Sequence, residues 1–214
     1  MTGAAAGASR LRVGLAAGLL CVLAPGAAAA PLGDAVALYK KGRLAEARAI
    51  LEPLVAAEPQ NAAALYYLGM VLERSGGTAS LDGSRQMLGR AVQLSPQNAT
   101  YLAEYAGVCL ELADRDSSLG LALEGRDAMI RALAANPRDM EAREALMEFY
   151  AKAPWPIGDS GKAMEQAAEI AKRDAKRGAA AYRDIAGIFE KAGRADLALS
   201  AEREAQRLAP GKAQ

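Results

Sequence analysis

The amino acids that carry out most enzyme chemistry are sparse in this chain of 214 residues. It contains no His, which excludes Ser/His/Asp and Cys/His catalytic arrangements and removes the commonest ligand of transition metals. Cys109 falls in an apolar helical pattern, which favours a small buried side chain over a reactive thiol. The sequence therefore predicts no catalytic residue, no metal site and no cofactor.

One glycine-rich segment, residues 158–162, has the Gly-Lys ending of a phosphate-binding loop. That loop requires a glycine where Pro156 stands and a Ser or Thr where Ala163 stands. No strand is predicted before it. We reject a nucleotide-binding role for this segment.

Charged residues offer two further candidates. Asp114 and Asp116 could form a carboxylate pair, but we interpret them as part of a solvated turn between helices. Glu141, Glu144 and Glu148 recur at helical spacing and predict one acidic helix face, which is either solvated or binds a partner. Because 26 basic residues balance 25 acidic ones, nucleic acid is a disfavoured partner.

The first 29 residues have the pattern of a secretory signal peptide. Arg10 and Arg12 precede an apolar run, Val13 to Leu23, and small residues follow Pro25. We predict cleavage after Ala28 or Ala29, with no integral membrane span in the mature chain. The alternative is an uncleaved anchor, but Pro25-Gly26 interrupts the run that a spanning helix needs. Frequent Ala, Gly and Arg suggest a bacterial protein, and hence the periplasm.

The organising feature of the rest of the chain is a repeat. Pro59, Pro96, Pro137 and Pro210 are 37, 41 and 73 residues apart, the last interval being about two units. Each proline follows an amphipathic run, where it ends a helix. The Asn or Asp two residues after the first three prolines can cap the next helix.

Helical spacing fills the units between these prolines. Leu65, Leu68, Gly69 and Leu72 lie at i, i+3, i+4 and i+7, and the same slots recur from Leu102 and from Tyr182. A second stripe in each unit includes small residues where two helices would cross closely, at Ala47, Ala91, Ala132, Ala163 and Ala198.

This pattern resembles the tetratricopeptide repeat family, whose unit is a helix–turn–helix of 34 residues. The match is best over residues 61–72 and 182–198, with Gly42 and Gly193 at the turn between helices. The resemblance implies an all-α, right-handed α-solenoid over residues 30–212. Its five units are expected at residues 31–61, 62–98, 99–139, 140–178 and 179–212.

Three segments depart from the family pattern. Extra turn residues are expected at Gly76 to Ser84 and at Ala113 to Leu119. Residues 153–161 are predicted to be an insertion between the helices of the fourth unit. Its Trp155, the only Trp, either covers the seam between repeats or contacts a partner.

In this family the first helices line a concave groove that holds an extended peptide or a partner helix. The resemblance assigns to that groove Tyr39, Lys40, Tyr66, Met70, Glu73, Arg74, Glu111, Glu144, Glu148, Lys152 and Arg183. Tyr and Arg often dominate interface energies. The N-terminal half of this groove is aromatic and basic and its middle is acidic, so we expect a ligand of mixed charge with an apolar anchor.

The predicted function is a non-catalytic adaptor of the cell envelope whose partner is another protein or peptide segment. One alternative is a structural subunit that self-associates or joins an envelope complex. A second alternative is an accessory to an envelope enzyme.

Overall fold

The computed structural model describes residues 29–154 and 156–208, which form ten α-helices and no strand. The predicted signal peptide, apart from Ala29, and Trp155 lie outside these residues. The helices are Ala29–Lys40 (α1), Leu44–Ala57 (α2), Ala62–Ser75 (α3), Thr78–Leu94 (α4), Ala99–Asp116 (α5), Leu119–Ala135 (α6), Met140–Lys152 (α7), Ser160–Arg173 (α8), Ala175–Lys191 (α9) and Ala195–Leu208 (α10).

Each helix packs mainly against its neighbours in the chain, and α1 also contacts α3, α3 contacts α5, and α7 contacts α9. The result is a right-handed α-solenoid of antiparallel helix pairs, as predicted. None of the helices in the described part of the chain is long and apolar enough to span a bilayer.

Polar caps and glycine turns set where the helices begin and end. The side chains of Asn61, Asn98 and Asp139 accept hydrogen bonds from backbone N–H groups three residues later, at 3.0 to 3.2 Å. These bonds confirm the predicted caps after the prolines. Gly42 and Gly193 have φ of 74° and 71°, a backbone conformation that glycine adopts without strain, at the turns inside the first and last pairs.

The extra turn residues predicted in the second and third pairs are wrong. The helix α4 already begins at Thr78 and α5 continues to Asp116, so the connections are short and the helices are long. Gly76, with φ of 73°, and Ser117, in the left-handed region at 51°, reverse the chain within two residues. Asp114 and Asp116 therefore lie in the last turn of α5 and not in a loop.

The small residues allow close helix crossings. Ala47, Ala91, Ala132 and Ala163 are fully buried, whereas Ala198 is partly exposed. A methyl group added at Gly69 would lie 2.7 Å from Leu88 Cγ, so α3 and α4 can approach this closely only because residue 69 has no side chain.

Candidate partner-binding face

The odd-numbered helices α1, α3, α5, α7 and α9 are the first helices of the five pairs. We call their shared solvent-facing side the first-helix face, defined by Tyr39 on α1, Tyr66 and Glu73 on α3, Glu104 on α5, Glu141 and Glu148 on α7, and Asp184 on α9. The predicted groove residues all belong to these five helices.

Four tyrosines connect three helices at the N-terminal end of this face. The rings of Tyr66 and Tyr101 stack with centroids 4.6 Å apart and an interplanar angle of 21°. Tyr67 contacts Tyr66 and Tyr39 edge-to-face, with centroid distances of 5.0 and 5.8 Å. We call these four residues the tyrosine cluster. All four pack partly against the core and keep part of each ring exposed, so the cluster forms a half-buried aromatic surface.

The cations predicted beside these tyrosines occupy different positions. The Arg74 guanidinium carbon lies 4.8 Å from the centroid of the Tyr39 ring, in cation–π contact. Lys40 is exposed. Met70 is buried below the tyrosines, where it packs with Tyr39 and Tyr66, and therefore forms the floor of the face.

Carboxylates form the next part of the face. Burial raises the pKa of Glu73, and the negative charges of Glu104 and Glu111 raise it further. Burial likewise raises the pKa of Glu104, followed by the charges of Glu141 and Asp139. One carboxylate oxygen of Glu73, Oε2, is buried and has no hydrogen-bond partner in the described part of the chain. These acids repel one another in a partly desolvated environment.

The predicted acidic residues of α7 are partly neutralised within the chain. Glu144 accepts two hydrogen bonds from Arg177 of α9, at 2.5 and 2.8 Å. Glu148 pairs with Lys152 one turn later. Arg183 is exposed on α9, next to Asp184.

A pocket of about 350 Å³ opens between α5, α6, α7 and the segment that follows α7. Its walls are mainly apolar, including Leu110, Phe149 and Ile157, and Glu148 and Lys152 lie among its charged lining. Two of the predicted groove residues therefore border a cavity large enough for a side chain.

Gly158 shapes the segment beside this pocket. A methyl group there would overlap the carbonyl of Ala153, because the chain folds back until the Asp159 N–H donates to the Tyr150 carbonyl at 3.0 Å. The glycine that suggested a phosphate loop therefore permits a close backbone turn.

Cys109 lies in the core between α4, α5 and α6 and is fully buried, as predicted. Burial raises the pKa of its thiol, which disfavours the reactive thiolate. Beside it, Glu124 accepts hydrogen bonds from Tyr105 and, at 2.6 Å, from Arg85. Burial opposes the ionisation of Glu124, but these two bonds outweigh burial and lower its pKa. The network joins the second pair of helices to the third.

Within residues 29–154 and 156–208, no three His, Cys, Asp or Glu side chains lie close enough together to hold a metal ion. The sequence pattern did not predict Tyr67, Tyr101, Glu104 and Asp184 as members of the face. Tyr101 stands at a different repeat position from Tyr66, so only the packing of α3 against α5 shows that their rings stack.

Residues 32–99 match the family model described as Tetratricopeptide repeat. A crystal structure of MamA protein superposes with a TM-score of 0.67 and 19% identity, over 85% of this chain and 91% of that one. YrrB, described as a TPR protein with an unusual peptide-binding site, superposes with the same TM-score and identity, over 85% of this chain and 86% of that one. A thermophilic TPR protein of Thermus thermophilus superposes with a TM-score of 0.56 and 20% identity, over 87% of this chain and 93% of that one.

No protein in the curated set matches the sequence. The family match over the first two helix pairs and the solenoid shared with the solved TPR structures over most of the chain agree with each other. Residues 32–99 thus match the tetratricopeptide repeat family, and the chain shares the fold of solved tetratricopeptide repeat proteins.

Proposed function

We propose that the chain is a non-catalytic protein-interaction module that binds a segment of a partner protein on its first-helix face. The tyrosine cluster is the observation that carries this proposal. It presents four rings from three successive pairs, all partly open to solvent. Tyrosines supply large contact area at a low cost in conformational entropy, and they are enriched among residues that dominate binding.

Two further features support binding along the same face. The pocket beside α7 has the size and apolar lining to accept a partner side chain. YrrB, which shares the fold, is described as having a peptide-binding site. A peptide lying across the first helices is consistent with the family resemblance.

The proposed setting is the bacterial cell envelope, reached through cleavage of the predicted signal peptide. Expression of the full chain with a C-terminal tag in a bacterium, followed by fractionation and intact-mass measurement, tests this. We expect a periplasmic product that begins at Ala29 or Ala30. A full-length product in the cytoplasm would contradict export and leave the binding proposal intact.

Photo-crosslinking tests the binding face. Gly107 occupies the α5 position equivalent to Met70, is exposed, and has open space around it, so a benzoylphenylalanine can be placed there without a clash. Ile130 on α6 is 43% exposed and serves as the matched position on a second helix. We expect a partner in envelope extract to crosslink to position 107 and not to position 130.

The double variant Tyr66→Ala/Arg74→Ala should abolish that crosslink, because it removes the stacked ring and the cation beside Tyr39. Capture that is equal at both positions, or unchanged in the double variant, would show that the first-helix face is not the binding site. Capture of copies of this chain alone would favour the assembly subunit instead.

A further inference from the structure

The first-helix face carries an excess of carboxylates that the chain does not neutralise. They come from four successive first helices: Glu73, Glu104, Glu111, Glu141 and Asp184. In the part of the chain that the structure describes, none of them forms a salt bridge. Some acids elsewhere on the helices pair with a neighbouring Arg or Lys, as Glu46, Glu52 and Glu169 do.

Three of the cations near this face are already engaged, whereas Lys40 and Arg183 form no salt bridge within the described residues. Arg74 lies against the Tyr39 ring, Lys152 pairs with Glu148, and Arg177 donates two hydrogen bonds to Glu144. Moving any of them to the unpaired acids would break an existing contact. Lys40 and Arg183 are too few to neutralise the five unpaired acids, so within the described part of the chain this face keeps a surplus of negative charge.

The acids also raise one another's free energy. Burial and then the charges of neighbouring acids raise the pKa of Glu73, Glu104 and Asp184. Asp184 is affected by Glu144 and Glu148 of the adjacent first helix, so the repulsion extends from α3 to α9. A cation placed among these groups would relieve that repulsion, and the partial burial strengthens the attraction compared with water.

Apolar contact is available beside the charge. Tyr66 lies close enough to Glu104 for that carboxylate to raise its pKa, after burial, so aromatic and acidic groups adjoin. Further along, the pocket between α5 and α7 combines apolar walls with Asp114, Glu148 and Lys152, of which Asp114 forms no salt bridge within the described residues. A side chain with an aliphatic stem and a cationic end fits both chemistries, since its stem packs on an apolar surface while its charge meets a carboxylate.

We propose that the segment bound on the first-helix face is rich in Lys or Arg and carries an aromatic or aliphatic anchor that packs on the tyrosine cluster. This inference rests on the proposed function and specifies its partner. It narrows the expectation of a ligand of mixed charge, because five acids but only three cations on this face lack a salt bridge within the described residues.

Three fluorescein-labelled peptides of twelve residues test the charge preference. The first combines Lys with Tyr and Ser, the second has Glu in place of each Lys, and the third has Gln. Binding to the full chain is measured by fluorescence anisotropy at low and at physiological ionic strength. We expect the Lys peptide to bind at least about tenfold more tightly than the Glu peptide, and to weaken as salt is added.

The variant Glu73→Gln/Glu104→Gln/Glu141→Gln removes three charges from the face with little change of shape. We expect it to lower affinity for the Lys peptide by about tenfold or more and to leave the Gln peptide unaffected. The matched control, Asp127→Asn/Glu165→Gln/Asp196→Asn, removes three exposed charges from second helices and should change neither. Thermal melts of both variants verify folding.

The outcomes separate this inference from the proposed function. If the Gln or Glu peptide binds as tightly as the Lys peptide, and Tyr66→Ala weakens that binding, the face binds peptides but the basic class is wrong. If the triple variant and its control behave alike, the inference is also wrong. If none of the three peptides binds, the inference fails, and the crosslink at position 107 then decides whether the face binds any protein.

Discussion

Side-chain environments on the first-helix face differ from those of ordinary surface residues. Glu73 and Glu104 sit partly desolvated among other acids, and Oε2 of Glu73 lacks a hydrogen-bond partner in the described part of the chain. Surface carboxylates normally stabilise a fold or leave it unchanged. These two oppose folding at neutral pH, which is typical of residues retained for binding.

The double variant Glu73→Gln/Glu104→Gln should therefore raise the melting temperature at pH 7.5. A carboxyl whose pKa is higher in the folded than in the unfolded chain binds protons more tightly when folded, so stability falls as pH rises. The destabilisation caused by these two carboxylates is absent at a pH below their ordinary pKa of 4.5, and it is complete at a pH above their raised pKa in the folded chain.

Thermal melts of wild type and variant between pH 4 and 8 measure this. The groups that face Glu73 are Glu104, Glu111 and Arg74, and those that face Glu104 are Glu141 and Asp139. A variant that is less stable at pH 7.5, or equally more stable at pH 4, would contradict the assigned repulsion.

At the scale of the helices, the closest packing occurs where small residues meet. A methyl group at Gly178 of α9 would overlap the backbone and side chain of Ala171 in α8. The fourth and fifth pairs also lack a proline between them, and Asp174 alone separates α8 from α9. Tight crossing and shared capping replace the proline turn here.

Gly178→Ala should destabilise the chain by about 1–3 kcal/mol through overpacking, although Ala is the better helix former. Gly187→Ala, on the same helix with no atom within 4 Å of the added methyl, should be neutral or stabilise by about 0.5–1 kcal/mol. Chemical denaturation of both variants measures the difference. Equal effects would show that α8 and α9 are not in such close contact.

Asp174→Ala should lower stability by about 1 kcal/mol, because the Asp174 side chain accepts a hydrogen bond from the Arg177 N–H at 2.9 Å at the start of α9. Asp174→Asn keeps an oxygen that can accept this hydrogen bond, so this variant should lose much less stability than Asp174→Ala. The same denaturation experiment compares them. An equal loss in both variants would mean that the charge matters and the cap does not.

Over the whole molecule, burial is divided along the solenoid. One hydrophobic cluster, which includes Leu51 and Leu65, is built from α1 to α4, and a larger one, which includes Ile185 and Phe189, extends from α5 to α10. A smaller cluster with Leu88 and Val108 joins α3, α4 and α5. Because each pair is stabilised mainly by its neighbours, a defect at one end should remain partly local.

Phe189→Ala should cost about 3–5 kcal/mol, since the ring is fully buried. Hydrogen exchange measured by mass spectrometry should show that this variant accelerates exchange, relative to wild type, more in α7 to α10 than in α1 to α4. Leu51→Ala, in the other large cluster, should give the reverse pattern. Uniform loss of protection in both variants would indicate that the solenoid unfolds as one cooperative unit.

The sequence alone determined the α-solenoid, the tetratricopeptide resemblance of its first units, the caps at Asn61, Asn98 and Asp139, and the burial of Cys109. All of these depend on local spacing, which repeats along the chain and is independent of distant contacts. The same spacing misplaced the turns of the second and third pairs, because the added residues extend a helix as readily as a loop. Only tertiary structure could settle which one forms.

The tertiary structure alone decided how the first-helix face is composed. Tyr66 and Tyr101 are 35 residues apart and occupy different repeat positions, yet their rings stack once α3 packs beside α5. Helical spacing predicts that Glu144 and Glu148 belong to one acidic face. In the structure, Arg177 pairs with Glu144 and Lys152 pairs with Glu148. Glu73 and Glu104 remain unpaired in the described part of the chain. The Glu144–Arg177 pair depends on the distance between α7 and α9, which spacing along one helix does not determine, whereas the Glu148–Lys152 pair lies within α7 at i, i+4.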